Sequence, residues 1–180
     1  MGDEMKMKFT LLALPLIILA MPSTAQDLRA GWEAAMAGDH GTALSNWKPL
    51  AESGDAQAQF QLGLMYRMGT APIEQDNQAA LNWFQLSAKQ GFGPAQLYLG
   101  TMYFFGQGVP QDYETAHMWT NISIATEWES AFHDSEELDG LKAGQSRLRD
   151  SIERLMTPET IANAQQRARD CVTSNFANCD

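Results

Sequence analysis

Two cysteines, Cys171 and Cys179, are the only thiol residues of the 180-residue chain, and they lie close together near its end. The loop between them is long enough to close a disulfide bond, and such bonds persist in oxidising compartments. A reactive thiol pair is the alternative, although the spacing differs from the CxxC pattern of redox motifs. We therefore predict a structural disulfide that fixes the C-terminal tail.

Histidine and carboxylate residues form one local cluster that could ligate a metal ion. The three histidines are far apart in sequence, and only His133-Asp134 with Glu136-Glu137 groups suitable ligands. A zinc site needs three or four converging ligands, and a calcium loop needs spaced oxygen ligands around a glycine, which this stretch lacks. We predict a solvated acidic loop here, and neither a metal ion nor a cofactor.

Nucleophilic catalysis finds little support in the sequence. The chain has no GxSxG elbow, no HExxH motif and no glycine-rich phosphate loop. Its serines are plentiful, but the sequence places none of them beside a plausible general base. We therefore predict that the chain is not an enzyme.

A repeated pattern organises most of the chain. The stretch 91–119 repeats the stretch 54–83, with shared residues offset by 37 positions. The tryptophans Trp47, Trp83 and Trp119 recur 36 positions apart. A period in this range indicates a stacked array of structural repeats. The pairs are Ala58-Gln59 with Ala95-Gln96, Leu62-Gly63 with Leu99-Gly100, Met65-Tyr66 with Met102-Tyr103, and Gly69 with Gly106.

Each repeat is predicted to be a pair of antiparallel helices, because apolar residues recur at helical spacing and almost no segment has the pattern of a β-strand. The fold class is therefore all-α, a right-handed α-solenoid closed by C-terminal capping helices. The tryptophans are predicted to pack in its core. Pro49 is predicted to kink or shorten the helix over 42–53. The last two helices are predicted over 141–156, with Leu148, Ile152 and Leu155 on its apolar side, and over 158–174.

Glycines and aspartates recur at matched places in the two copies. A glycine in the middle of a helix costs about 1 kcal/mol relative to alanine, so its repetition suggests close approach of the partner helix. Glycine at a helix end permits the left-handed conformation, and aspartate caps a helix start. The residues in these three roles are Gly63 and Gly100, Gly69 and Gly106, and Asp76 and Asp112.

The N-terminus has the features of an export signal. Lys6 and Lys8 precede an apolar run over 9–21, and Ser23-Thr24-Ala25 offers small residues to a signal peptidase. We predict a signal peptide over 1–25 that is cleaved after Ala25, with a periplasmic or secreted mature chain and no stable membrane insertion. An uncleaved N-terminal anchor is the alternative.

The remaining residues, 26–180, are predicted to form a single solenoid domain. It would begin with a degenerate N-terminal repeat at 27–53, followed by repeats at 54–90 and 91–125. An acidic loop at 126–140 and capping helices at 141–180 would complete it.

The charge of the chain limits its partners. The formal net charge of −10 argues against binding nucleic acid, because phosphate contacts need a basic face. The charge is uneven: residues 127–139 hold six acids and no base, whereas residues 142–169 hold six bases against three acids. The C-terminal part is thus a locally basic module on an acidic body.

The motifs LGxMYxxG and GxGVPQDYxxAxxW resemble the Sel-one-like repeat, a relative of the tetratricopeptide repeat. The second copy matches from Leu99 to Trp119, and the first matches less completely because 70–74 replace the GQGVP segment. The resemblance covers 28–180 and implies an adaptor for macromolecular assembly. Some exported relatives rich in disulfides bind or hydrolyse β-lactams, so the alternative is a protein that binds or hydrolyses β-lactams or cell-wall fragments.

The exposed side of the small-residue helices is expected to line the concave face of such an array. The two copies differ there, since Gln61 aligns with Tyr98, Arg67 with Phe104 and Met68 with Phe105. Aromatic residues are frequent anchors of protein interfaces. We therefore predict that an envelope protein or peptide binds a groove here; the alternative is that the rings pack on the next helix pair. The candidate binding residues are Gln61, Arg67, Tyr98, Phe104 and Phe105.

Overall fold

The computed structural model describes residues 23–126 and 135–179, and all regular structure in them is helical. The predicted signal peptide lies almost wholly outside these residues, as does the stretch 127–134 of the predicted acidic loop. The all-α prediction is confirmed for the described part of the chain. The helices are α1 Ser23–Met36, α2 His40–Glu52, α3 Ala56–Met68, α4 Asn77–Ala88, α5 Gly93–Phe105, α6 Tyr113–Ala125, α7 Ser135–Glu153 and α8 Pro158–Thr173.

The first six helices form three pairs that stack in chain order. In each pair the two helices pack against one another, and α2 then packs on α3 and α4 on α5. The last two helices differ from this pattern, because α7 and α8 each pack on α6. One buried cluster joins α2 to α3 around Trp47, and a second spans α3 to the C-terminal tail around Phe84 and Trp119.

Close contact within each pair depends on a glycine. A Cβ on Gly63 would lie 2.5 Å from Cε1 of Phe84, and one on Gly100 would lie 2.5 Å from Oγ1 of Thr120. The predicted close approach at both positions is therefore confirmed. Gly31 plays the same part in the first pair, where a Cβ would collide with the Trp47 indole.

Repeated polar side chains bond the helices to one another once they lie this close. Nε2 of Gln59 donates to the carbonyl of Ala51 at 3.1 Å, and Nε2 of Gln96 donates to the carbonyl of Ala88 at 3.3 Å. Each bond joins one pair to the next. Within a pair, Ser87 Oγ donates to the carbonyl of Ala56 at 2.7 Å, and Ser123 makes the equivalent bond to Gly93 at 3.0 Å.

The predicted helix ends are confirmed. Gly69 and Gly106 both have φ of 67° and end α3 and α5 in the left-handed conformation. The carboxylates of Asp76 and Asp112 accept bonds from backbone N–H groups in the first turns of α4 and α6. Asp39 caps α2 in the same way, and the bonds from the backbone N–H and hydroxyl of Thr42 lower the pKa of its carboxyl.

Two expectations about α7 are corrected. Helix α7 begins at Ser135, six residues earlier than predicted. Leu155 follows α7 and is 55% exposed, so it is not part of an apolar face, whereas Ile152 is fully buried. Pro49 lies inside α2, and the helix continues past it to Glu52.

The tryptophans are not equally buried. Trp47 and Trp119 are each 3% exposed, as predicted for core residues. Trp83 is only partly buried against the first cluster. Its neighbour Phe84, which is fully buried, fills the space beside Gly63 instead.

A buried histidine holds α7 against α6. His117 is fully buried at a position where the first repeat has Leu81, and its Nε2 lies 2.9 Å from Oε1 of Glu153. Nδ2 of Asn121 donates to Nδ1 of the same ring at 3.1 Å. Both ring nitrogens are satisfied in the Nε2–H tautomer, so this histidine has a structural role.

We predict that Gly100→Ala destabilises the protein by about 1–3 kcal/mol, since the added methyl group overpacks the contact with Thr120 and the Ala116 carbonyl. Gly144→Ala in α7 is the control, because a Cβ there meets nothing within 4 Å. Relief of the glycine penalty should make that variant neutral or up to about 1 kcal/mol more stable. Urea unfolding of both variants measures the difference, and equal effects would contradict the packing argument.

We predict that Glu153→Ala destabilises the protein by about 1–3 kcal/mol, because it leaves a buried Nε2–H of His117 without an acceptor. In a His117→Leu background, which copies Leu81 of the first repeat, the same change should have little effect. A double-mutant cycle in urea isolates this coupling. Additive losses would show that His117 and Glu153 do not act as a pair.

Candidate functional site

The five candidate binding residues do not form one continuous exposed surface. Gln61 is 5% exposed on α3, so its side chain is not available to a partner. Arg67 and Tyr98 are half-buried and contact each other, with the guanidinium 5.2 Å from the ring centroid. Phe104 is half-buried, whereas Phe105 is 60% exposed. The structure therefore separates an Arg67–Tyr98 pair from a Phe104–Phe105 pair.

Tyr98 packs on the core rather than standing free. Its ring stacks on Phe84 with centroids 5.1 Å apart and meets Phe60 edge-on at 5.4 Å. Tyr98 is therefore a packing residue, but it packs on the preceding helix pair and not, as the alternative had it, on the next one. Its exposed part supports Arg67, since a guanidinium within about 6 Å of an aromatic ring centroid is attracted to the ring.

Phe104, Phe105 and Tyr113 form a surface group that we call the aromatic cluster. The rings of Phe104 and Phe105 are 4.8 Å apart and nearly perpendicular, and Phe104 lies 5.8 Å from Tyr113. The first repeat has Arg67, Met68 and Asn77 at the matching positions. Met68 is 61% exposed, so both repeats present a large apolar side chain at this place.

The backbone beneath these residues is held in the same way in both repeats. Gln111 Nε2 donates to the carbonyl of Phe104 at 2.6 Å, and Gln75 Nε2 donates to that of Arg67 at 3.0 Å. Because the supporting structure is equivalent, the two repeats differ here mainly in the side chains that they display.

The disulfide between Cys171 and Cys179 is present, with Cα atoms 4.6 Å apart. Both half-cystines are buried, at 0% and 3% exposure, and belong to the main core cluster. Phe176, between them, packs against the turn at Gly91. The bond therefore ties the tail to the second half of the array, as predicted for a structural disulfide.

Two concavities were not anticipated from the sequence. An apolar groove of about 430 Å³ lies between α6 and α8. A smaller crevice of about 300 Å³ with a mixed polar and apolar lining lies among α4, α5, α6 and α8, with Gln85, Tyr103, Arg167 and Cys179 in its walls. Each brings residues after position 164 together with residues at least 40 positions earlier, so no local pattern reveals them.

The sequence contains one further catalytic spacing besides the motifs considered above. Ser45 and Lys48 have the S-x-x-K spacing in which penicillin-binding enzymes carry a serine nucleophile. Both lie on the exposed side of α2, where Ser45 Oγ donates to the Gly41 carbonyl at 2.9 Å and Lys48 lies 4.0 Å from Glu52. Their polar atoms are thus turned to other partners, and neither residue lines either concavity.

Metal ligands do not converge in the part of the chain that the structure describes. No group of three or more histidine, cysteine, aspartate or glutamate side chains there could hold an ion. The side chains of the cluster at 133–137 fall outside that part. Within the same described ranges, no helix is both long and apolar enough to cross a membrane.

Comparisons with known proteins agree with this architecture. The Sel1 repeat family model matches residues 56–92 and 93–124. No curated protein matches the chain. Sel1 repeats typically form scaffolds for protein–protein interaction, and proteins of this fold are generally non-catalytic.

Two solved structures share the fold. A protective antigen of uropathogenic Escherichia coli strains that displays an SLR fold aligns with 86% of this chain, with a TM-score of 0.71 and 22% identity. This chain spans only 32% of that antigen's length. A Sel1 repeat protein from Oxalobacter formigenes aligns over 71% of this chain and 88% of its own, with a TM-score of 0.53 and 25% identity. The resemblance to the Sel-one-like repeat is therefore confirmed: the chain contains two tandem Sel1 repeats within an all-helical solenoid.

Proposed function

We propose that this protein is an exported, non-catalytic scaffold that binds a segment of another envelope protein through the aromatic cluster of the second repeat and the matching Arg67 and Met68 of the first. The observation that carries this proposal is the exposure of large apolar side chains at matched positions of both repeats, 61% for Met68 and 60% for Phe105. Exposed aromatic and methionine residues are enriched at protein interfaces.

The comparison of the two repeats supports the assignment. Residues shared by the repeats have structural roles, in close helix contacts, interhelical hydrogen bonds or helix caps. Phe104, Phe105 and Tyr113 differ from their counterparts in the first repeat, and the common backbone support does not require aromatic rings at these places. They are therefore free to provide specificity.

The chemistry of the surface indicates what a partner segment presents. Phe105 and Met68 suit apolar side chains, and the polarisable thioether of Met68 adapts to differing shapes. The Arg67 guanidinium, held over Tyr98, suits a carboxylate. We therefore expect a segment that combines apolar residues with an acidic one.

Export is supported by two features. Residues 1–25 have the charge and apolar pattern of a signal peptide. The disulfide between Cys171 and Cys179 suits an oxidising compartment such as the periplasm.

We predict that the double change Phe104→Arg and Phe105→Met, which gives the second repeat the residues of the first, lowers partner capture from envelope extract at least ~10-fold, about 1.4 kcal/mol. Its melting temperature should stay close to the unchanged protein's, because the first repeat tolerates these residues. Met36→Ala is the matched control, since Met36 is 79% exposed on α1 and away from the cluster. Unchanged capture by the double variant, or equal loss in the control, would refute the proposed surface.

We predict that the protein recovered from its native cells begins at Gln26 and carries an intact Cys171–Cys179 bond. N-terminal sequencing after cell fractionation tests the first point, and thiol labelling before and after reduction tests the second. A cytoplasmic chain that retains residues 1–25, or one with both thiols free, would disprove export.

A further inference from the structure

The crevice among α4, α5, α6 and α8 is lined by hydrogen-bond donors that have no acceptor. Trp119 of α6 lines the crevice and is 3% exposed, and its indole N–H donates to no acceptor among the described residues. Tyr103 of α5 accepts a bond from Nε2 of Gln85 at 3.5 Å, but within the same ranges its own O–H has no acceptor. Since buried polar groups in proteins are nearly always hydrogen-bonded, these donors indicate a ligand that supplies acceptors.

Arg167 of α8 adds a guanidinium to the wall of the crevice. In the described part of the chain it makes one hydrogen bond, from Nη2 to Oγ1 of Thr115 at 3.3 Å. Its Nη1 lies 4.0 Å from Oε2 of Glu114, and the side chains of this ion pair are 33% and 38% exposed, so solvent weakens their attraction. A guanidinium carries five N–H donors in a planar fork that matches a carboxylate. Arg167 can therefore bind a carboxylate and keep its bond to Thr115.

The charges in the lining favour a ligand with one negative charge. Lys89 and Arg167 are the two positive residues of the lining, and Asp112 is its one negative residue. Both oxygens of Asp112 already accept bonds from Thr115, Oδ1 from the backbone N–H at 3.0 Å and Oδ2 from the hydroxyl at 2.7 Å. The carboxylate of Asp112 therefore caps α6, and the lining keeps an excess of one positive charge although the whole chain is acidic.

We infer that this crevice binds a small organic acid through its carboxylate. Arg167 supplies the charged contact, and the Trp119 N–H and the Tyr103 O–H supply neutral donors. The crevice volume of about 300 Å³ is at the lower end of the range for ligand pockets, so the ligand is small. The carboxylate at the end of a peptide offers the same chemistry. The site is separate from the aromatic cluster, none of whose residues lines the crevice, and so goes beyond the proposed function.

The test is an NMR titration of the full mature chain, because the indole N–H of Trp119 gives its own resonance. Loss of that resonance in Trp119→Phe identifies it. The probe is N-acetylglycine, and N-acetylglycinamide is its neutral analogue. We expect N-acetylglycine to shift the Trp119 N–H resonance saturably. The amide should bind at least ~10-fold more weakly, because it cannot make charge-assisted bonds to Arg167.

Variants of the crevice decide where the probe binds. Arg167→Gln should weaken the binding of N-acetylglycine at least ~10-fold, because it removes the charged donor. Tyr103→Phe removes only a hydroxyl group and should weaken binding about 3–10-fold. Arg154→Gln is the matched control, because Arg154 is exposed and lies outside the crevice. The double variant of Phe104 and Phe105 should bind the probe normally, so this inference and the proposed function can fail separately.

A second pair of probes distinguishes the two sources of the carboxylate. They are acetyl-Ala-Ala-Ala with a free C-terminal carboxylate and the same peptide with a C-terminal amide. Binding of the peptide acid as tightly as N-acetylglycine would support the inference with a peptide C-terminus as the ligand. Binding of N-acetylglycine alone would support it with a free organic acid.

Several results would overturn the inference. They are absence of a saturable shift of the Trp119 resonance, equal binding of N-acetylglycine and its amide, and equal effects of Arg167→Gln and Arg154→Gln on binding. Binding that appears only after deletion of Asp180 would also overturn it, because the crevice would then belong to the chain's own residue next to Cys179.

Discussion

The close approach of the two helices in each pair is the constraint on which the rest of the structure depends. In all three pairs a glycine lies at the contact, where a side chain would collide with the partner helix. The partner helix fills the space with Trp47, Phe84 or Thr120. Since protein interiors are close-packed, even one methyl group at this contact would have to displace the partner. The glycines at 31, 63 and 100 therefore set the distance between helices for the whole array.

The interhelical hydrogen bonds follow from that distance. Gln59 and Gln96 reach the Ala51 and Ala88 carbonyls, in the last turns of α2 and α4, because each pair stacks closely on the next. Each of these carbonyls, which already accepts a bond from the backbone N–H of Gly54 or Gly91, thereby gains a second partner from the next pair. The residues that the two repeats share therefore serve the fold, and the proposed binding residues lie where the repeats differ.

The C-terminal end departs from the repeat and is held by other means. The His117–Glu153 contact holds α7 on α6, and packing around Ala168 holds α8 on α6. The disulfide fixes the tail against the core. Because α7 and α8 both pack on α6, a groove remains beside α8. The same departure that ends the array thus creates a surface that the regular repeats do not have.

The sequence by itself determined the features that depend on local patterns: the helix pairs, their capping aspartates and glycines, the close contacts at Gly63 and Gly100, and the Cys171–Cys179 bond. These could be predicted because helical periodicity, caps and repeat offsets are set by residues near one another in the chain. Only the tertiary structure decided that Gln61 is buried, that Tyr98 supports Arg67 while Phe105 stays exposed, and that His117 pairs with Glu153. The α6–α8 groove is likewise a feature that only the tertiary structure decided. Burial and pairing depend on which distant segments meet, and a repeat offset shows which positions are equivalent but not what packs against them.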